Sequence, residues 1–157
     1  MIRVTFVCLG NFCRSPMAEL ILKKMVKERG IASSFEITSC GTFSYDEGTP
    51  IYDPAVRTLR AHGVEGDHTA RKITREDVEK SDYLLVMDEN NYRDVVEFAG
   101  EDGKGKVFLL LSFTPRGGVV ADPWFTHDFE KAYSDIEEGC RCFLDFVLQK
   151  GVSAHQF

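Results

Sequence analysis

Basic residues and long hydrophobic runs are both scarce in this sequence. Its 19 lysines and arginines are outnumbered by 25 aspartates and glutamates, which gives a formal net charge of −6. That balance argues against a broad nucleic-acid-binding surface and against tight binding to anionic membranes. No stretch approaches the roughly 18–20 apolar residues of a membrane-spanning helix, and the first residues do not resemble a secretory signal. We therefore expect no membrane or nucleic-acid partner.

The cysteines have neither an even count nor the spacing of a metal site. There are five of them, and their positions match no zinc-binding pattern. Such thiols are typical of a reducing, cytoplasmic location. We expect Cys40, Cys140 and Cys142 to be buried and inert, and we expect no metal and no cofactor.

Apolar, β-branched stretches alternate along the chain with segments of helical periodicity. The pattern predicts strands at residues 2–8, 35–39, 83–87 and 106–111. It predicts helices at residues 16–29, 89–99 and 128–149, a helix from an Asp53 N-cap to Gly63, and a short helix at a Thr74–Asp77 capping box. Residues 112–126 show no period. The alternation predicts one three-layer α/β domain over residues 1–157, with a parallel sheet and helices on both faces.

The most informative segment joins the first strand to the first helix and reads Cys8-Leu-Gly-Asn-Phe-Cys-Arg-Ser15. In parallel sheets, ligands bind beyond the carboxyl ends of the strands, where this turn lies. Free backbone N–H groups at a helix N-terminus form an anion site. A thiol placed there ionises easily, and the Arg14 fork can hold two phosphate oxygens. The segment therefore predicts phosphoryl chemistry on Cys8.

Three further residues of this turn favour a phosphate loop over a buried cysteine beside a surface arginine. Gly10 allows a sharp turn and close approach of a ligand. Asn11 tolerates a left-handed backbone. Ser15 can donate a hydrogen bond to the sulfur of Cys8.

Residues 7–19, taken together, closely resemble the signature of the low-molecular-weight protein tyrosine phosphatases. Further matches follow in the expected order at residues 39–48, 67–71, 83–89 and 122–123, so the resemblance extends over about residues 2–148. It implies a sheet order of 2-1-3-4. It also implies that Cys8 is the nucleophile, that Arg14 binds phosphate and stabilises the transferring group, and that Asp122 is the general acid. The remaining residues of the phosphate-binding loop are Leu9, Gly10, Asn11, Phe12, Cys13 and Ser15.

The resemblance also implies a supporting network and a set of pocket walls. Asn11, Ser15, Ser39 and His68 match positions that hold the loop from behind. Phe12, Tyr45, Trp124 and Phe125 match positions that line the substrate pocket. The pair Trp124-Phe125 departs from the family's common Asp-Pro-Tyr-Tyr, so regulation through a tyrosine pair is not expected. Cys13 lies five positions after Cys8, and our hypothesis is a reversible Cys8–Cys13 disulfide that protects the nucleophile from further oxidation.

These residues predict a metal-independent phosphatase that hydrolyses phosphotyrosine on proteins, and small aryl phosphates, through a phosphocysteine. Inorganic phosphate or a similar oxyanion is expected to bind the loop. The alternatives are a protein arginine phosphatase of the same fold, a cysteine phosphocarrier subunit of a sugar transport system, and a phosphopeptide-binding module. Phe12 disfavours the first, since relatives that act on phosphoarginine carry a threonine there, and Asp122 disfavours the other two. We expect a monomer, with weak self-association around Tyr92 as the alternative.

Overall fold

A parallel sheet of four strands lies at the centre of the residues that the structure describes. The structure is a computed structural model, and it describes residues 1–43 and 47–156. The strands are β1 (Ile2–Cys8), β2 (Phe35–Gly41), β3 (Tyr83–Val86) and β4 (Val107–Leu109). They pair in the order β2-β1-β3-β4, and all three pairings are parallel. The expected fold class and strand order are confirmed.

Helices cover both faces of this sheet. They are α1 (Arg14–Glu28), α2 (Asp53–Ala61), α3 (Arg75–Lys80), α4 (Glu89–Gly103), α5 (Pro123–Thr126) and α6 (Phe129–Gln156). On one face, Phe6 of β1 packs in a cluster with Met17 of α1 and Phe143 of α6. On the other face, Val7 and Val95 belong to a second cluster under α3 and α4. Because both faces are covered, β1 is buried from Val4 to its end, as continuous apolar strands of parallel sheets are.

The last helix, α6, buries one stripe of apolar side chains against the sheet. Ala132, Ile136, Cys140, Phe143, Leu144 and Val147 are buried. These residues recur at helical spacing on one face, and polar residues occupy the other. In the described part of the chain, no helix is both long enough and apolar enough to cross a membrane.

Two predicted boundaries around the site are wrong. The N-cap of α2 is Tyr52, whereas Asp53 is the first helical residue and forms an ion pair with Arg57. The helix begins one residue early because the Tyr52 backbone N–H is fixed by the Phe12 carbonyl at 2.7 Å. The first helix begins at Arg14 instead of residue 16, with Cys13 as its N-cap. Arg14 therefore occupies the first turn of α1.

The segment after β3 also differs from the prediction. α4 continues to Gly103, but its backbone breaks at Gly100, where φ is 71°, so the predicted stop marks a kink. β4 ends at Leu109 because residues 110–113 coil into a 3-10 turn that buries Leu110 and Leu111. This turn leads the chain over the carboxyl edge of the sheet towards Asp122. Within the predicted aperiodic stretch, α5 forms a single short helix. The Thr74–Asp77 capping box is present at the start of α3, as predicted.

Candidate active site

The loop between β1 and α1 forms the floor of a cavity of about 460 Å³ at the carboxyl edge of the sheet. It is lined by Cys8, Leu9, Gly10, Asn11, Phe12, Cys13, Arg14, Thr49, Tyr52, Asp122, Trp124 and Phe125. The cavity thus brings together the predicted nucleophile, the predicted phosphate clamp and the predicted acid. Tyr45, a predicted wall residue, lies outside the described residues.

The backbone of this loop presents its N–H groups to the cavity. The carbonyls of Cys8, Leu9, Phe12 and Cys13 accept hydrogen bonds from Thr42, Phe43, Tyr52 and Met17, all outside the loop. In a trans peptide the carbonyl and the following N–H point in opposite directions. The N–H groups that follow these four carbonyls therefore face the inside of the loop. Such convergent amides at the N-terminus of α1 bind an anion.

Asn11 fixes the shape of the loop from inside the protein. Its φ of 58° is left-handed, a backbone state that costs a non-glycine residue about 1 kcal/mol or more. The carboxamide uses all of its hydrogen-bonding capacity in return. Its Oδ1 accepts from the Arg71 backbone N–H at 3.0 Å and from His68 Nε2 at 2.6 Å. Its Nδ2 donates to Ser15 at 2.8 Å and to Ser39 at 3.0 Å.

These bonds set the direction of the Ser15 hydroxyl. Because Ser15 Oγ accepts from Asn11, its own hydrogen is available to Cys8 Sγ, which lies 2.9 Å away. The competing acceptor, the Cys40 carbonyl, is more distant at 3.5 Å. A hydroxyl aimed at sulfur stabilises negative charge there.

Glu19 closes the network behind the loop, and no role was predicted for it from the sequence. Its Oε1 accepts from Ser39 Oγ at 2.6 Å and lies 3.1 Å from His68 Nδ1, and its Oε2 pairs with Lys23 at 2.6 Å. Burial by itself raises the pKa of this carboxyl, but hydrogen bonds from His68, Lys23 and Ser39 hold the pKa below its ordinary value of 4.5. The sequence feature that could have identified Glu19 is the position of a carboxylate on the apolar face of α1, between Met17 and Leu20.

Arg71 supports Asn11 through its backbone and is itself anchored by Asp77. Its Nη1 and Nη2 donate to the two Asp77 oxygens, each at 2.9 Å. The same carboxylate accepts from the Thr74 backbone N–H at the start of α3. Burial raises the pKa of Asp77, but the bonds from Arg71 and Thr74 outweigh it and lower that pKa below 3.8. The Arg71–Asp77 ion pair therefore joins the start of α3 to the back of the phosphate loop.

Arg14 is buried, and its guanidinium is held in a fixed orientation. Nη1 donates to Asp88 Oδ2 and to the Val120 carbonyl, each at 2.8 Å. Nη2 lies 3.5 Å from Asp122 Oδ2. Burial works to lower the pKa of Arg14, but the charges of Cys8, Asp122 and Asp88 raise it above its ordinary value. A permanent cation therefore lies near the predicted nucleophile, Cys8.

Asp88, like Glu19, has a place in the site that was not predicted from the sequence. Its Oδ2 holds Arg14, while its Oδ1 accepts from the Asn91 backbone N–H as the N-cap of α4. One carboxylate thus links the end of β3, the start of α4 and the phosphate clamp. Its place directly after a buried strand, at the carboxyl edge of the sheet, was the signal that could have identified it.

Asp122 lies across the cavity from the loop. Its Oδ1 accepts from the Trp124 backbone N–H at 3.0 Å, which makes Asp122 the N-cap of the short helix α5. Its side chain is 23% exposed. The carboxyl therefore reaches both the guanidinium of Arg14 and solvent, which is the position that a proton donor to a departing group needs.

Aromatic rings form the wall beside Asp122. The centroid of Phe12 lies 5.7 Å from that of Trp124 and 6.0 Å from that of Tyr52. Phe125 is 73% exposed at the rim. Thr49 and Tyr52 also line the cavity and were not predicted, because neither belongs to a recognisable motif.

The cysteines are all free thiols. Cys13 is buried, and its pKa is raised mainly by burial and further by the charges of Cys8 and Asp122. Burial likewise raises the pKa of Cys40 and of Cys140. Cys142 is only partly buried, which corrects the prediction, because it lies beside the buried stripe of α6. The Cys8–Cys13 disulfide and the cytoplasmic location stay predictions.

Comparisons with known proteins agree with this arrangement. The chain is 38% identical over 147 residues to a low molecular weight phosphotyrosine protein phosphatase of Pongo abelii, covering 90% of this chain and 93% of the relative. The crystal structure of YfkJ from Bacillus subtilis matches with a TM-score of 0.91 and 31% identity, covering 96% of each chain. A drosophila arginine phosphatase matches with a TM-score of 0.86 and 32% identity, covering 93% of this chain and 98% of that one.

A family model confirms the resemblance drawn from the loop motif. The model described as low molecular weight phosphotyrosine protein phosphatase matches residues 3–154, which include both the Cys8 loop and Asp122. Because this match spans nearly the whole sequence, the chain belongs to the low molecular weight phosphotyrosine protein phosphatases.

Proposed function

We propose that this chain hydrolyses phosphotyrosine through a phosphocysteine formed on Cys8. The observation that carries the proposal is the position of the Cys8 sulfur. It lies at the floor of the cavity, 2.9 Å from a hydroxyl that can stabilise its charge, in a loop whose amides face inwards. Nucleophile, phosphate site and proton donor are assembled around one cavity, as a two-step displacement requires.

In the first step, the loop amides and Arg14 bind the phosphate dianion. The Cys8 thiolate attacks phosphorus and the bond from phosphorus to the phenolic oxygen breaks. Asp122, in its acid form, gives its proton to that oxygen, so that neutral tyrosine departs. Arg14 and the amides stabilise the charge on the three equatorial oxygens, because they are already oriented before the reaction.

In the second step, water attacks the phosphocysteine. Asp122, now a carboxylate, takes a proton from that water, and the bond between phosphorus and sulfur breaks. The departing thiolate accepts the hydrogen bond of Ser15. Inorganic phosphate leaves, and both Cys8 and Asp122 return to their starting protonation states. No step needs a metal ion.

A flat aryl ester fits the cavity better than a guanidinium. Phe12, Tyr52 and Trp124 offer ring faces and edges on which a phenyl group can pack. The likeness to an arginine phosphatase makes phosphoarginine the second candidate. A competition assay on equal amounts of phosphotyrosine and phosphoarginine peptides decides between them, and we expect the larger kcat/KM on phosphotyrosine.

The decisive experiment is hydrolysis of an aryl phosphate by the wild type and by Cys8→Ser, each with and without a chelator. We expect turnover by the wild type in both conditions and none by Cys8→Ser, which should still bind phosphate. Cys142→Ser, which changes a partly buried thiol on α6, is the matched control and should keep full activity. Turnover by Cys8→Ser would overturn the proposal. A stable phosphocysteine that releases no phosphate would instead indicate a phosphocarrier.

A further inference from the structure

Tyr52 belongs neither to the phosphate loop nor to the segment that carries Asp122 (residues 120–128, the acid segment), yet it touches both. Its backbone N–H donates to the Phe12 carbonyl at 2.7 Å. Its ring centroid lies 6.0 Å from Phe12, 5.1 Å from Trp124 and 5.9 Å from Phe129. Tyr52 therefore contacts the loop, the acid segment and the start of α6 at once.

The acid segment has few other attachments in the described part of the chain. At Val120 it is fixed by a backbone bond to the Met87 carbonyl at 2.9 Å and by the bond from Arg14. Beyond that point, the amides of residues 124–128 bond only to residues 122, 123 and 126 of the same segment. The turn is joined to the rest of the protein by the ion pair of Asp122 with Arg14 at 3.5 Å, by the buried Pro123, and by the packing of the Trp124 ring on Phe12 and Tyr52.

The position of Trp124 is coupled directly to the Asp122 carboxyl. The Trp124 backbone N–H donates to Asp122 Oδ1 at 3.0 Å. A shift of Trp124 would therefore carry the carboxyl with it or break this bond. Since proton transfer requires hydrogen-bond contact with the leaving oxygen, a small displacement of Asp122 impairs acid catalysis.

We propose that Tyr52 is a positioning residue for the proton donor: its ring holds Trp124, and through Trp124 it places Asp122 over the scissile bond. The inference rests on the proposed function, because it assumes that Asp122 is the acid. It predicts an effect that depends on the leaving group. A residue that served only as a pocket wall would affect phenyl esters of similar size alike.

The first test compares kcat/KM on phosphotyrosine with kcat/KM on an aryl phosphate whose phenol is strongly acidic. The latter ester needs little protonation as it breaks. Tyr52→Ala should lower the ratio of the two constants about 10-fold, the size expected for losing one aromatic contact. Tyr52→Phe keeps the ring and should leave the ratio unchanged. Equal losses on both substrates after Tyr52→Ala would reduce Tyr52 to a wall and overturn the inference.

A third variant separates this inference from the proposed function. Asp122→Asn retains an N-cap for α5 and should lower the same ratio by about 10²-fold or more. In the Asp122→Asn background, Tyr52→Ala should have no further effect on the ratio. If Asp122→Asn leaves the ratio unchanged, the assignment of the acid fails. If only Tyr52→Ala leaves it unchanged, the positioning role alone fails.

A structural measurement is independent of activity. Trp124 is the single tryptophan of the chain, so intrinsic fluorescence reports on its surroundings alone. Tyr52→Ala should shift its emission to longer wavelength and increase quenching by acrylamide, whereas Tyr52→Phe should do neither. Should Tyr52→Ala not fold, Tyr52→Leu fills similar space without a ring and should change the ratio and the emission in the same directions. Unchanged emission in a folded ring-deleted variant would contradict the inference.

Discussion

The two halves of this active site are held together by different physical means. Behind the phosphate loop, Asn11, Ser15 and Ser39 are fully buried and joined by short, directional hydrogen bonds. Across the cavity, Asp122 is carried by a turn whose Trp124 and Phe125 side chains are 47% and 73% exposed. One half is a polar network and the other is a packing of rings at the surface.

The difference corresponds to what each half must recognise. Every phosphomonoester presents the same tetrahedral dianion, so the loop can be fixed in advance by a saturated network that gives little freedom. Leaving groups differ, and ring packing is less directional than hydrogen bonding. We therefore expect the loop to determine the rate and the acid segment to determine which esters are cleaved.

Among substitutions that leave Cys8 in place, the largest effect should come from Arg14→Lys in the polar half. Lysine keeps the charge but loses the fork, and it leaves Asp88 or the Val120 carbonyl without a donor. We expect kcat/KM to fall about 10²–10³-fold on every ester, because charge stabilisation in the transition state is lost. Steady-state kinetics check this. Arg116→Lys, at an ion pair with Asp135 that does not line the cavity, is the control and should leave kcat/KM unchanged. A loss confined to one ester would contradict the comparison.

A smaller but still large effect should follow from changing Asn11. Asn11→Ala removes four hydrogen bonds and places a non-glycine residue without local support at φ 58°. Asn11→Gly removes the same bonds but tolerates that φ. We expect Asn11→Ala to lower the free energy of unfolding by about 3 kcal/mol. The loss in Asn11→Gly should be smaller than this by about 1 kcal/mol, because glycine tolerates the left-handed backbone. Urea unfolding measures both, and equal losses would show that the left-handed backbone is not the strained element.

The features of the fold and the site that could be predicted from the sequence are those encoded by neighbouring residues, and the phosphate loop is one of them. Strand order and helix positions follow from local periodicity and connection rules, which act over short stretches of chain. The phosphate loop is contiguous, so Cys8 and Arg14 could be identified together. Asp122 was found only through the family resemblance, because an Asp-Pro pair on its own predicts no more than a turn.

The residues that were missed depend on contacts that are distant in the sequence. Tyr52 meets Phe12, Trp124 and Phe129 only after the sheet has brought three segments together. A contact that is equally distant in the sequence, the hydrogen bond from the Tyr52 backbone N–H to the Phe12 carbonyl, accounts for the wrong N-cap of α2. Glu19 looked like one polar residue of a helix until Ser39 and His68 were placed beside it.

Acid should weaken the polar half of the site. The pKa values of Glu19 and Asp77 are lowered from ordinary values of 4.5 and 3.8. Each carboxylate therefore contributes stability above those values, and the contribution is lost as pH falls through the lower folded pKa, because the unfolded chain binds protons first. We expect the free energy of unfolding to fall between about pH 5 and pH 3. The dependence of the free energy of unfolding on pH should be weaker in Glu19→Gln and in Asp77→Asn, and weakest in the double variant. An unchanged dependence on pH in these variants would show that the two carboxylates do not cause the loss of stability.

The smallest effect should come from the rim of the acid segment, at Phe125→Ala. This ring is 73% exposed, so its removal should change the free energy of unfolding by less than about 0.5 kcal/mol. It lines the cavity mouth, and we expect KM for phosphotyrosine peptides to rise about 2–5-fold with kcat unchanged, since burying a ring face in a complex is worth about 1 kcal/mol. Comparing peptide with free phosphotyrosine locates the contact: a larger effect on the peptide means that Phe125 meets residues that flank the phosphotyrosine. A fall in kcat would instead place Phe125, like Tyr52, among the residues that hold Asp122.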